Sequence, residues 1–234
     1  NTQSIEHSPK KAFETNEELR KAVLAYCNQG GNVHGVVVPP PTRSRRQMVS
    51  HVYGRVIDDW DVSDIEDFSY VFDACQNFNH VISSWDTSKA KSMKHMFYHS
   101  ISFNQPLNTW NTSHVEDMSN MFLGASSFNQ PIDGWNTSNV ENMSGMLQWT
   151  QNFNQPLNTW NTAKVKNMKY MFGGARAFNQ PLNGWNTSNV EDMMGMFRGP
   201  SSFNQPLNTW NTVKVKDMGY MFDSNYSFNQ PLNG

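Results

Sequence analysis

Residues 110–134 read Trp110-Asn-Thr-Ser-His-Val115-Glu-Asp-Met118-Ser-Asn-Met121-Phe122-Leu-Gly124-Ala125-Ser-Ser-Phe128-Asn-Gln-Pro-Ile132-Asp-Gly134, and residue 135 is Trp again. The phrase recurs across most of the chain. Trp60, Trp85, Trp110, Trp135, Trp160, Trp185 and Trp210 fall every 25 residues, and Phe78, Phe103, Phe128, Phe153, Phe178, Phe203 and Phe228 keep the same step. Met93, Met118, Met143, Met168, Met193 and Met218 follow suit, with Phe68 in the first copy. A fixed period of this size is the mark of stacked repeats, and copies of equal length fold alike. A single copy buries too little to hold itself, so burial between copies has to supply the stability.

Within a copy, Val115, Met118, Met121, Phe122 and Ala125 have the spacing of one helix face. Ser113 three residues before Glu116 predicts a capping box, repeated at Ser63/Glu66, Ser138/Glu141 and Ser188/Glu191. Gly124, Gly173, Gly174 and Gly199 stand where a helix of about ten residues takes a left-handed C-cap, and Pro200 closes one exit. The Phe-Asn-Gln-Pro-Leu-Asn-Thr-Trp half reads as an extended turn leading into a very short strand at Leu-Asn-Thr-Trp. The expected fold is therefore α/β: a curved solenoid of about seven 25-residue coils, each a short parallel strand plus a short helix. Strands stack at about 4.8 Å and helices at about 8–10 Å, which places the strands on the concave face.

Polar columns share the register. The residue after each Trp is Asp61, Asp86, Asn111, Asn136, Asn161, Asn186 or Asn211, and an Asn follows each Phe from Asn79 to Asn229. Such side chains can satisfy a turn and also bond the next copy. Six residues after the Trp come Glu66, Lys91, Glu116, Glu141, Lys166, Glu191 and Lys216, mostly alternating in sign, which suits a register device more than a source of stability.

The pattern Trp-Asn-Thr-Ser-x-Val-x-x-Met-x-x-Met-Phe-x-x-Ala-x-x-Phe-Asn-Gln-Pro-Leu resembles the BspA-like surface-protein repeat, over residues 58–234. That resemblance implies a leucine-rich-repeat-like solenoid, a role in adhesion or protein binding, no catalytic activity, and a place at the cell surface, outside the cell, or in a virus particle. Local departures are His80-Val81 in place of Gln-Pro, Leu147 in place of Phe, and Ala163 and Val213 at the capping Ser.

Ahead of the repeats, residues 1–58 read as a tail and capping segment, with the solenoid over 59–234. Residues 1–12 are polar and expected to be disordered. Thr15 and Glu18 predict a helix start, Leu19, Val23 and Tyr26 its inner face, and Gly30-Gly31 its end; Val36-Val37-Val38 predicts a strand. Solenoids need their first open coil covered, and this helical segment is the candidate cap. The chain opens on Asn1 and stops one residue short of the next Trp position, which predicts a fragment or processed chain. Cys27 and Cys75 are too few for a disulfide framework, and both are read as free.

With a net charge of −2, nucleic acid is a poor partner, and Arg43, Arg45 and Arg46 read as a solvated loop. His95 and His99 have a metal-compatible spacing but lack an accompanying acid or thiol pattern, so no metal or other cofactor is expected. No phosphate loop, carboxylate pair or Ser/His/Asp arrangement stands out, which predicts neither an enzyme nor a small-molecule substrate. What varies between copies is the supposed helix surface. There His95, Tyr98, His99, Trp149, Tyr170, Arg176 and Arg198 are the candidate partner-binding residues, for a protein or another macromolecular surface, neighbouring subunits included. The alternative is an ice- or crystal-surface binder using the Thr87, Thr112, Thr137, Thr162, Thr187 and Thr212 ladder.

Overall fold

The computed structural model describes residues 11–27, 31–33, 36–38, 43–199 and 201–232, and the side chains of these except 31–33, 36–38 and 43–46. Helix α1 (Asn16–Tyr26) starts where the sequence places it, with the Thr15 hydroxyl accepting the Glu18 N–H. Its box is incomplete, because the Glu18 carboxylate takes the N–H of Glu14 instead of that of Thr15. The helix stops at Tyr26, ahead of the expected glycines, and Gly31 opens β1 (Gly31–Val33), which pairs antiparallel with β2 (Val36–Val38). Arg43, Arg45 and Arg46 lie in α2 (Arg43–Tyr53) and not in a loop. A 3-10 turn at Ile57–Asp59 leads into Trp60. Of residues 1–12, expected to be disordered, 1–10 lie outside the described residues, while the Lys11 N–H donates to Val52 O at 3.4 Å.

Phe13 stacks on Tyr53 at 4.0 Å, and both rings lean on Trp60. Tyr26 meets Trp60 edge-on at 5.6 Å. The cap also completes the backbone of the first coil: Asn16 Nδ2 donates to the carbonyls of both Asp67 and Ser69, at 2.9 Å each.

From Trp60 onward the α/β expectation fails. Among the described residues the repeats contain no helix and no strand; each coil contributes one isolated parallel bridge, running Asp67, Ser92, Asp117, Asn142, Asn167, Asp192, Asp217. The stretch expected to be helical is a run of overlapping four-residue turns. The N–H groups of Met121, Leu123 and Ala125 bond three residues back, to Met118, Asn120 and Phe122. Those of Met118, Asn120, Phe122 and Gly124 leave the coil and donate to Asn142, Ser144, Met146 and Gln148 of the next, at 2.8–2.9 Å. An α-helix spends its N–H groups on itself. Here alternate ones are spent between coils, so the wall stacks at sheet spacing.

The expected strand at Leu-Asn-Thr-Trp is a turn too, closed by Trp110 N–H on Leu107 O at 3.1 Å. The narrow side of the stack is thus the opposite one. Phe72, Phe97 and Phe122 behind the turn wall stack at 5.1 and 5.4 Å, whereas Trp85 and Trp110 lie 6.4 Å apart.

The core is one continuous cluster holding Trp60 through Trp185 in a buried column, with Met, Phe, Val and Leu columns beside it. Each indole N–H from Trp85 to Trp210 donates to a carbonyl 28 residues earlier, as Trp135 does to Leu107 at 3.0 Å. The expected capping boxes dissolve into simpler turns. Asn111, Asn136 and Asn186 side chains accept the N–H of Ser113, Ser138 and Ser188 two residues on. The other Asn column does cross coils: Asn104 Oδ1 accepts both the Asn129 N–H and the Gln130 amide.

Candidate functional site

The turn wall imposes a backbone condition. Two turns per coil, such as Met118–Met121 and Phe122–Ala125, place their third residue at positive φ, as a type II turn requires. Asn120 (φ 55) and Gly124 (φ 73) hold those places in one coil. Across the stack the first column runs Tyr70, His95, Asn120, Gly145, Tyr170, Gly195, Tyr220. The second runs Ala74, His99, Gly124, Trp149, Gly174, Gly199, Ser224. Gly124, Gly174 and Gly199 are therefore left-handed as expected, though in turns and not at helix ends; Gly173 is not left-handed. Pro200 lies outside the described residues.

Glycine is the unstrained choice at these places, yet the wall carries large rings there. Non-glycine residues at positive φ cost about 1 kcal/mol each. His95 (φ 55), His99 (φ 52), Trp149 (φ 60) and Tyr170 (φ 53), four of the seven candidates, hold it. Three of these rings, those of His99, Trp149 and Tyr170, are laid along the stack over the glycine of the following coil. A Cβ on Gly174 would sit 2.5 Å from the Trp149 ring, and one on Gly124 would sit 2.6 Å from that of His99. Tyr170 covers Gly195 in the same way.

The seven candidates separate into three groups. Trp149, Tyr170 and Arg198 line one groove of about 380 Å³ with Gln148, Gly173 and Asp223. Trp149 is 44% exposed there. Arg198 Nε donates to Asp223 Oδ2 at 2.9 Å, and its guanidinium lies 5.4 Å from the Tyr220 ring centre. Asp223 first, then Tyr170, hold the Arg198 proton more tightly than usual.

His95, Tyr98 and His99 form a second cluster near the cap. His95 stacks on Tyr70 at 4.7 Å and meets Tyr98 at 5.2 Å, and Tyr98 meets His99 edge-on. Arg176 lies apart, in a shallow depression with Ser201, Ser202, Tyr226 and Ser227. The coil of Asn120 and Gly124, which carries no ring at its two left-handed positions, separates the first two groups. Asp223 is the contributor that sequence reasoning missed; it falls 25 residues after Arg198 and so faces it from the next coil.

Of the Thr ladder, Thr212 in the last coil is exposed, and the other five offer no such surface. Thr87, Thr112, Thr137, Thr162 and Thr187 are buried, and their hydroxyls donate to the carbonyls of Asn111, Asn136, Asn161, Asn186 and Asn211. In the charged column each paired Lys bonds the Glu of the preceding coil: Lys91 to Glu66, Lys166 to Glu141 and Lys216 to Glu191. Among the described residues no helix is long and apolar enough to cross a membrane.

Seven coils joined by bonds in register make this a repeat protein, with its variable side chains gathered on one wall. The chain belongs to the family described as "Mycoplasma protein of unknown function, DUF285", whose profile matches residues 44–157 and 129–234. No curated protein and no solved structure matches it.

Proposed function

We propose that this chain is a non-enzymatic repeat scaffold that binds another protein through the groove of Trp149, Tyr170 and Arg198. One observation carries the reading. Trp149 holds a left-handed turn position that three other coils fill with glycine, and 44% of its surface remains in solvent. Strained backbone retained beside exposed apolar surface is characteristic of binding sites. Trp, Tyr and Arg are also the side chains on which interface energy concentrates. The resemblance to BspA-like surface repeats supports an adhesive role at the cell surface or outside the cell, or in a virus particle. The burial of Thr87, Thr112, Thr137, Thr162 and Thr187 leaves no exposed row of Thr hydroxyls, the feature that suggested an ice- or crystal-binding face.

The test begins by identifying the protein partner by affinity capture, followed by titration of that partner. Trp149→Gly relieves the strained backbone, so the coil keeps its fold. Removing a central aromatic anchor typically costs at least about 2 kcal/mol, roughly thirtyfold in affinity. If Trp149→Gly binds as tightly as wild type while Gln155→Ala, on the Asn/Gln face, abolishes binding, the groove is not the site.

A further inference from the structure

We propose that Cys27 and Cys75 form an oxidisable pair whose disulfide fastens the N-terminal cap to the first coil. Cys75 occupies the small core slot that Ala125 and Ala175 fill in later coils, and it is fully buried. Cys27 is the residue that ends α1, half-buried and packed against the same core cluster. Contacts near both ends of α1 fix where that thiol falls. At its start Asn16 is bonded to Asp67 O and Ser69 O. At its end the Tyr26 ring lies 5.6 Å from Trp60 and 5.5 Å from His80. Between those ends the Arg20 guanidinium lies 5.4 Å from the Tyr70 ring centre, so α1 runs along residues 67–80 of the first coil, the stretch that holds Cys75. In keeping with that placement, the Cys27 side chain first and burial second push the Cys75 thiol well above its usual value. A sulfur pair spans the one joint in the molecule where cap meets repeat.

The oxidant is a small-molecule disulfide such as oxidised glutathione. The Cys27 thiol, the accessible one, loses its proton and attacks a glutathione sulfur. This forms a mixed disulfide and releases the first glutathione as thiol. Cys75 then gives up its proton and attacks Cys27 Sγ, and the second glutathione leaves as thiol. Two protein thiols are oxidised to one disulfide, and one glutathione disulfide is reduced to two thiols.

The full chain is incubated with oxidised glutathione, the remaining thiols are alkylated after denaturation, and the digest is mapped. The expected result is a peptide linking Cys27 to Cys75 in a monomer, together with a higher melting temperature that dithiothreitol reverses. Cys75→Ala places in the first coil the residue other coils carry. It should fold, stop at the glutathione adduct on Cys27 and show no such rise. Wild-type chain that stops at the same adduct, keeps both thiols free, or joins into dimers through Cys27 overturns the pair. An intramolecular link without a rise in melting temperature overturns the fastening.

Discussion

At the scale of single residues, the wall works by matching a ring in one coil to a missing Cβ in the next. Gly174 illustrates it: any side chain there meets the Trp149 ring and must also adopt φ 70. Gly174→Ala is therefore expected to destabilise by about 1–3 kcal/mol. In the Trp149→Gly background only the backbone share should remain. A double-mutant cycle by chemical denaturation checks this, and additive losses would mean that ring and glycine are not coupled. Thr137 gives a second case. Its hydroxyl is buried and donates to Asn161 O at 3.1 Å, so Thr137→Val keeps the shape and orphans a carbonyl. The expected loss is about 1–3 kcal/mol; an unchanged denaturation midpoint would show that this ladder contributes no stability.

At the scale of elements, the cap has an acid-sensitive joint. Burial alone would raise the Glu18 pKa, but hydrogen bonds from Lys11, Tyr53 and the Glu14 N–H outweigh it, and the net shift is downward from 4.5. A carboxylate depressed on folding stabilises above its unfolded pKa and loses that contribution as pH falls through the folded value. Protection of α1 in hydrogen exchange should accordingly decline as pH drops below 4.5. Glu18→Gln should flatten that decline, and an identical pH profile in the variant would place the sensitivity elsewhere. The start of α1, the β2 strand, the repeat period and the buried Trp column were all legible in the sequence, because each rests on local capping chemistry or on strict periodicity. The turn wall was not. Turns that recur every four residues put Met118, Met121, Phe122 and Ala125 inward at nearly the spacing of a helix face, so apolar periodicity cannot separate the two. The separating signal was Gly145 and Gly195, which sit in the middle of the supposed helix where glycine is disfavoured. Asp223 escaped notice because its partner lies a full coil away.

At the scale of the whole molecule, stability is shared between neighbouring coils, so position along the stack matters. Trp60 is no free end, since Phe13, Tyr26 and Tyr53 surround it. Trp210 is half-buried, and in its coil Val213 is 90% and Tyr220 61% exposed. Trp135→Ala should cost about 3–5 kcal/mol, as for a buried aromatic, and Trp210→Ala distinctly less. Equal losses in thermal unfolding would contradict nearest-neighbour coupling. The charged column makes a smaller claim. Lys166→Glu sets three acids in line with Glu141 and Glu191, so the melting temperature should drop in low salt and recover in high salt; a salt-independent drop would point to packing. Finally, the turn wall has a direction. Asp117, Ser119, Met121 and Leu123 turn their carbonyls to the preceding coil, while the N–H groups of Met118, Asn120, Phe122 and Gly124 face the following one. The assembly is thus vectorial, like a row of magnets laid head to tail. Two molecules meeting through their C-terminal faces would oppose donor with donor along this wall, whereas a carbonyl-bearing edge would complete the row.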